Sequence, residues 1–156
     1  MAEMMFLPAA AALVAVGALA GLARAEPGEA LLQDGAYEVQ VRVELPNVQN
    51  WAATTTTTIC LPHAGGASDA PIPVLSTNNP IAKCPARNVQ RNDATLTFDI
   101  VCDGRGAARA RAVYTLTPHG FRGRIAMVMG GKNMTMTEVQ VGRRVGACDP
   151  PRTPRR

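Results

Sequence analysis

Aromatic side chains are scarce in this chain: three Phe, two Tyr and one Trp among 156 residues. Nucleic-acid binders stack bases on aromatics set in a dense basic face, so a nucleic-acid partner is not expected. Histidine is rarer still, with only His63 and His119. Both lie beside turn residues and read as solvated, whereas a hydrolase needs a histidine oriented by a carboxylate and set beside a nucleophile in the fold. Ser68 and Ser76 fall in one long loop, and no Gly-x-Ser-x-Gly elbow exists. Close cysteine pairs are missing too, which argues against a Cys-x-x-Cys redox centre and against structural zinc. Beyond residue 25 no stretch carries a helical period, apart from about a turn around "GEALLQ". These absences leave no enzyme class with a signature. A non-catalytic protein without a cofactor is expected.

The chain opens with "MAEMMFLPAAAALVAVGALAGLARA". Met4 to Leu22 is almost entirely apolar, and Ala23-Arg24-Ala25 has the small-x-small form of a cleavage site. Residues 1–25 are therefore expected to be a cleaved signal peptide, despite the lack of a positive n-region. Cleavage removes the only long apolar run, so no stable membrane span is expected afterwards. It also removes one charge of each sign, Glu3 and Arg24, and the net charge stays at +4. The expected location is the periplasm or the exterior. All four cysteines, Cys60, Cys84, Cys102 and Cys148, follow the leader. In an exported small domain an even count reads as two disulfides. Three pairings exist; chain order favours Cys60–Cys84 and Cys102–Cys148, the first stapling the base of a loop.

Residues 26–149 read as a single β domain. "AYEVQVRVEL" alternates strictly: Tyr37, Val39, Val41, Val43 and Leu45 face one way, and charged or amide side chains face the other. "WAATTTTTICLP" resembles neither a Gly/Ser linker nor a proline-bearing mucin stalk. Threonine is β-branched and suits a strand. Its favoured register points Thr55, Thr57, Ile59 and Leu61 inward. Residues 62–83, rich in Pro and Gly, read as a long loop, uncommon in a compact domain unless tied down. "CPARNVQRNDA" reads as a short strand and turn, and further strands follow at "TLTFDIVC", "AARARAVYTL", "FRGRIAMVM" and "MTMTEVQV", separated by turn sequences. In the last, the apolar phase slips from Met134 and Met136 to Val139 and Val141, which predicts a bulge. The Pro/Arg run 150–156 reads as a disordered tail. The expected fold is all-β: an antiparallel meander forming a small up-and-down barrel, or a strongly curled sheet open along one side, stapled by disulfides.

"DGAYEVQVRVELP", "TTTTICLP", "CPARNVQRNDATLTFDIVC", "YTLTPHGFRGRIAMVM" and "MTMTEVQVGRRVGAC" together resemble a bacterial exported family, domain of unknown function 3617. The resemblance spans about Gly35 to Cys148. It implies an exported, β-rich, cysteine-containing domain with no established activity, and it assigns no catalytic residue. The long loop at 62–83 departs from it.

Two constellations remain. Met127, Met129, Met134 and Met136 flank the turn "GGKN" and are expected on one hairpin face. Thioethers there suit Cu(I), or they simply fill an irregular core. Arg109, Arg111, Arg122 and Arg124 alternate on adjacent strands and form a basic stripe for an anionic headgroup or polysaccharide, or they are ordinary solubilising charge, paired with Asp99 or Glu138. A curled sheet also suits a small apolar ligand or lipid, with Ala108, Ala110 and Ala112 either leaving it room or admitting a packed loop. The expected role is non-catalytic: binding of a small ligand or partner, or a structural part of the envelope.

Overall fold

The computed structural model describes residues 32–46, 48, 54–62, 69–131 and 134–148. The signal-peptide segment, His63, Ser68 and the Pro/Arg tail lie outside the described residues. Seven strands are present: β1 (Gly35–Glu44), β2 (Thr54–Leu61), β3 (Ala86–Asn92), β4 (Thr95–Val101), β5 (Arg109–Thr117), β6 (Gly120–Met129) and β7 (Met134–Gly146). They form one antiparallel sheet in the order β2-β1-β7-β6-β5-β4-β3. The sheet is a meander whose last strand, β7, returns to pair with β1. β2 and β3, neighbours in sequence, sit at opposite edges. The sheet is therefore curled but not closed, the second of the two expected forms.

Alternation decides the faces. Tyr37, Val39 and Val41 from β1, Leu96, Phe98 and Ile100 from β4, and Ala110, Ala112, Tyr114 and Leu116 from β5 are all buried. Phe121, Ile125 and Met127 of β6 join them. Four rings line up across the inner face. Tyr37 and Phe121 have centroids 5.7 Å apart, Phe121 meets Tyr114 edge-on at 5.8 Å, and Tyr114 stacks on Phe98 at 5.9 Å. Two of these rings lie over glycines on the neighbouring strand: Tyr114 over its partner Gly123, and Phe121 over its partner Gly142. A Cβ at either glycine would enter the ring. The sheet thus holds large rings on a tightly curved inner surface by leaving the opposing positions bare.

The threonine run is the edge strand β2. Thr57 and Ile59 are half-buried and Leu61 is buried, on the favoured face, whereas Thr55 is exposed. Leu45, expected inside, lies one residue past the end of β1 and is 45% exposed.

The expected disulfides are not formed. Cys60 bonds Cys148, with Cα atoms 5.7 Å apart, and Cys84 bonds Cys102, at 4.9 Å. Each pairing follows from the ladders. Ala36 of β1 faces Cys60 on one side and Gly146 on the other, so the end of β7 brings Cys148 to β2. Ala86 faces Ile100, and Cys84 and Cys102 occupy the next rung of that β3–β4 hairpin. Cys60 and Cys84 lie at opposite edges of the sheet, so the expected loop staple has no geometry to form.

The expected bulge in β7 is also absent where it was placed. The β6–β7 register runs unbroken from Gly120↔Arg143 to Met129↔Met134. The only shift involving β7 is against β1, between Ala36 and Tyr37. The face of Met134 and Met136 therefore continues into Glu138 and Gln140, and Val139 and Val141 point outward.

Candidate functional site

Residues 69–83 of the long loop form a strap over the concave face. Its apolar residues alternate with prolines: Ala70, Pro71, Ile72, Pro73, Val74. Proline lacks an N–H and cannot join a ladder. The strap thus crosses in extended form without becoming a strand. Ile72 and Ile81 are fully buried, and Ala70 and Val74 nearly so, with about 2 kcal/mol available from burying each large side chain. Ala110 and Ala112 lie in the same buried cluster as Ile72, Val74 and Ile81, and Ala108 is partly buried against it.

A buried strap outside any ladder needs partners for its backbone polar groups. Glu138, fully buried, supplies them. Its two carboxylate oxygens accept the Leu75 N–H at 2.8 Å and the Ser76 N–H at 3.0 Å. Gln140, also fully buried, donates through Nε2 to the Pro73 carbonyl at 2.9 Å and to Glu138. Tyr114 donates its hydroxyl to Gln140 Oε1 at 3.1 Å. Burial first, and the Glu138 carboxylate second, push the Tyr114 phenol well above its usual pKa. No cation pairs with Glu138 among the described residues; N–H donors hold the carboxylate instead. Asn79 completes the clamp. Its Oδ1 caps the 3-10 turn Pro80–Lys83 by accepting from Ile81 N at 3.1 Å, and its Nδ2 donates to Ser76 Oγ at 2.9 Å and Met127 Sδ at 3.1 Å. Sequence reading treated Glu138 as a surface ion-pair partner and missed Gln140. The available signal was the unbroken parity from Met134 to Gln140, opposite an apolar segment interrupted by prolines.

The strap leaves a hollow at each end of β1. At the Gly35 end a cleft of about 820 Å3 runs between β2 and the strap, walled by Ile59, Leu61, Pro73, Val74 and Ala82, with Arg144 at its rim. Arg144 donates from Nε and Nη2 to the Asp34 carbonyl at 3.1 and 2.9 Å. At the far end a groove of about 420 Å3 lies between Val41, Val43, the strap residues Asn79 and Pro80, and Met129 and Met136.

The methionines occupy one face of the β6–β7 hairpin, as expected. Met127 faces Met136 and Met129 faces Met134. Met127 is buried, Met129 and Met136 are half-buried, and Met134 is 61% exposed. His119 lies in the turn before β6, at the other end of that ten-residue strand, about 30 Å of strand from the methionines. The fold does not bring it to them.

The arginines point outward. Arg111 pairs with Asp99 at 2.8 Å, and Arg124 reaches across β7 to Glu44 at 2.7 Å, where Arg42 also binds at 2.7 Å. Arg109 and Arg122 make no ion pair among the described residues. The stripe is half-neutralised, and Arg111 and Arg124 face Ala126 and Val113 across the ladder rather than each other. A hydrogen bond from Asn88, and then the Arg111 guanidinium, hold the Asp99 carboxyl below its usual pKa. The suggested pairing to Glu138 does not occur, because that side chain is on the other face.

No free cysteine is present and no described helix is long and apolar enough to cross a membrane. Two disulfides are compatible with an extracellular or secreted protein. No curated protein and no solved structure matches the chain significantly. One family model does match, over residues 32–148, described as a protein of unknown function (DUF3617). That match runs from just before β1 to the last cysteine and takes in every strand, the strap and both disulfides, and the chain belongs to this family.

Proposed function

We propose that this is an exported, non-catalytic binding domain whose ligand, small and largely apolar, occupies the cleft between β2 and the strap. The observation that carries the reading is the cleft itself. Its volume, about 820 Å3, falls among ligand sites, which measure roughly 300–1,000 Å3 and have apolar walls with few polar groups. The clamp of Glu138 and Gln140 supports it, because it fixes the backbone at Leu75 and Pro73, both of which line the cleft. The apolar leader and the two disulfides favour export.

Native mass spectrometry of the chain expressed with its leader and recovered from the envelope tests the reading. The expected species lacks residues 1–25, carries both disulfides, and holds a ligand that leaves on activation. An Ala82→Trp variant, which fills the cleft, is expected to come out empty. An uncleaved chain would remove the export reading. A bare parent that also fails to take up an apolar fluorescent probe, or an Ala82→Trp variant that keeps its ligand, would remove the cleft.

A further inference from the structure

The four methionines after residue 5 all fall on one hairpin face, in two directly opposed pairs. Core filling accounts for Met127, which is 1% exposed and whose sulfur already accepts the Asn79 amide. It does not account for Met134, which is 61% exposed at the end of the sheet. A thioether there adds little to the core, and its partner across the ladder is Met129. Met129 and Met136 line the open groove beside it.

We propose that Met129, Met134 and Met136 form a Cu(I) site at this end of the hairpin. Opposed side chains start about 5 Å apart at Cβ, and residues two apart on one strand about 7 Å. Methionine is unbranched with three rotatable bonds, so three sulfurs converge without moving the backbone. The donor set selects the metal. Thioethers are soft and suit Cu(I), whereas Zn(II) and Cu(II) sites draw on imidazole, carboxylate or thiolate. No group of three or more His, Cys, Asp or Glu suited to a metal exists among the described residues, and all four cysteines are in disulfides. The site is independent of the cleft proposed above: that cleft opens at Gly35, and this groove lies beside Val41 and Val43, at the other end of β1.

Anaerobic titration of the oxidised protein with Cu(I), against a chromophoric Cu(I) chelator, tests the proposal. One equivalent is expected to bind, with only sulfur in the first coordination sphere by X-ray absorption. Met134→Leu, Met129→Leu and Met136→Leu are each expected to weaken it at least about tenfold, or 1.4 kcal/mol. Met127→Leu, of similar volume, is expected to leave it within about twofold, a shift of about 0.4 kcal/mol. Met134 is exposed, so Met134→Leu folds as the parent does and its result stands even if a core variant misfolds. Failure to compete with the chelator, nitrogen in the coordination sphere, or affinity unchanged in Met134→Leu would each overturn the site. None of these outcomes depends on whether the cleft holds a ligand.

Discussion

Removing the Glu138 carboxylate tests the role of the clamp most directly. Glu138→Ala leaves the Leu75 and Ser76 N–H groups and one Gln140 amide proton without their acceptor. Hydrogen bonds to a charged group contribute about 1.5–3 kcal/mol each, and an orphaned buried donor costs about 1–3 kcal/mol. Leu75 and Ser76 are half-buried, so water replaces part of what is lost, and deleting the charge also removes its desolvation cost. The expected loss is about 3 kcal/mol, a large share of the roughly 5–15 kcal/mol typical of a domain. Glu138→Gln keeps one oxygen but turns an NH2 group toward a backbone donor. It is expected to cost about 1.5 kcal/mol. The assay is urea unfolding with both disulfides intact, paired with hydrogen exchange at Leu75 and Ser76. Those two amides lie outside every strand, yet are expected to be protected in the parent and to exchange freely in Glu138→Ala. Glu38→Ala, which breaks an exposed pair to Arg143, serves as control and is expected to change stability by less than about 0.5 kcal/mol. If Glu138→Ala costs under about 1 kcal/mol, or leaves the two amides protected, the carboxylate does not hold the strap.

Proteolysis without reduction is expected to yield peptides linking Cys60 to Cys148 and Cys84 to Cys102, and a Cys60–Cys84 peptide would refute this register; chain entropy over separations of 88 and 18 residues gives about 4.6 and 3.2 kcal/mol for the two bonds, so Cys60→Ala/Cys148→Ala is expected to lower the urea midpoint more. Both tyrosines have raised folded pKa values, chiefly through burial, so their contribution to stability is complete below the unfolded value of about 10 and is lost as pH rises from there toward the folded values. The shift is the larger at Tyr114, so its tyrosinate absorbance is expected to appear only together with alkaline unfolding, and a native-state titration of Tyr114 near pH 10 would contradict its packing. Gly123→Ala drives a methyl into the Tyr114 ring and is expected to cost at least about 2 kcal/mol; a neutral result in thermal unfolding would show that the ring is free to move.

Much of the architecture is readable in the chain because strand faces are local. The alternation over Tyr37–Val43, Leu96–Ile100 and Ala110–Leu116 reports burial directly, since side chains two apart share a face. The Cys84–Cys102 bond was misread, because chain order paired Cys60 with Cys84, although Cys84 and Cys102 stand nine residues either side of Asp93 in the β3–β4 turn. The polar end of β7 was misread because Glu138 and Gln140 look like solvent-facing residues when only composition is considered. Of the candidate residues, the methionine hairpin was recognisable from spacing, whereas the selection of three sulfurs from four needed the Asn79 contact to Met127.

The sequence by itself determined the strands, the turns between them and most of the inward faces, all set within a few residues by side-chain period and turn chemistry. Tertiary structure decided the rest: β7 pairing with β1, the Cys60–Cys148 bond, the strap crossing the open face, and the burial of Glu138 beneath it. These depend on contacts between residues far apart in the chain, 63 positions for Leu75 with Glu138 and 110 for Ala36 with Gly146. No local propensity encodes such a contact; only the curvature of the finished sheet, which leaves one concave face to be covered, brings its two halves together.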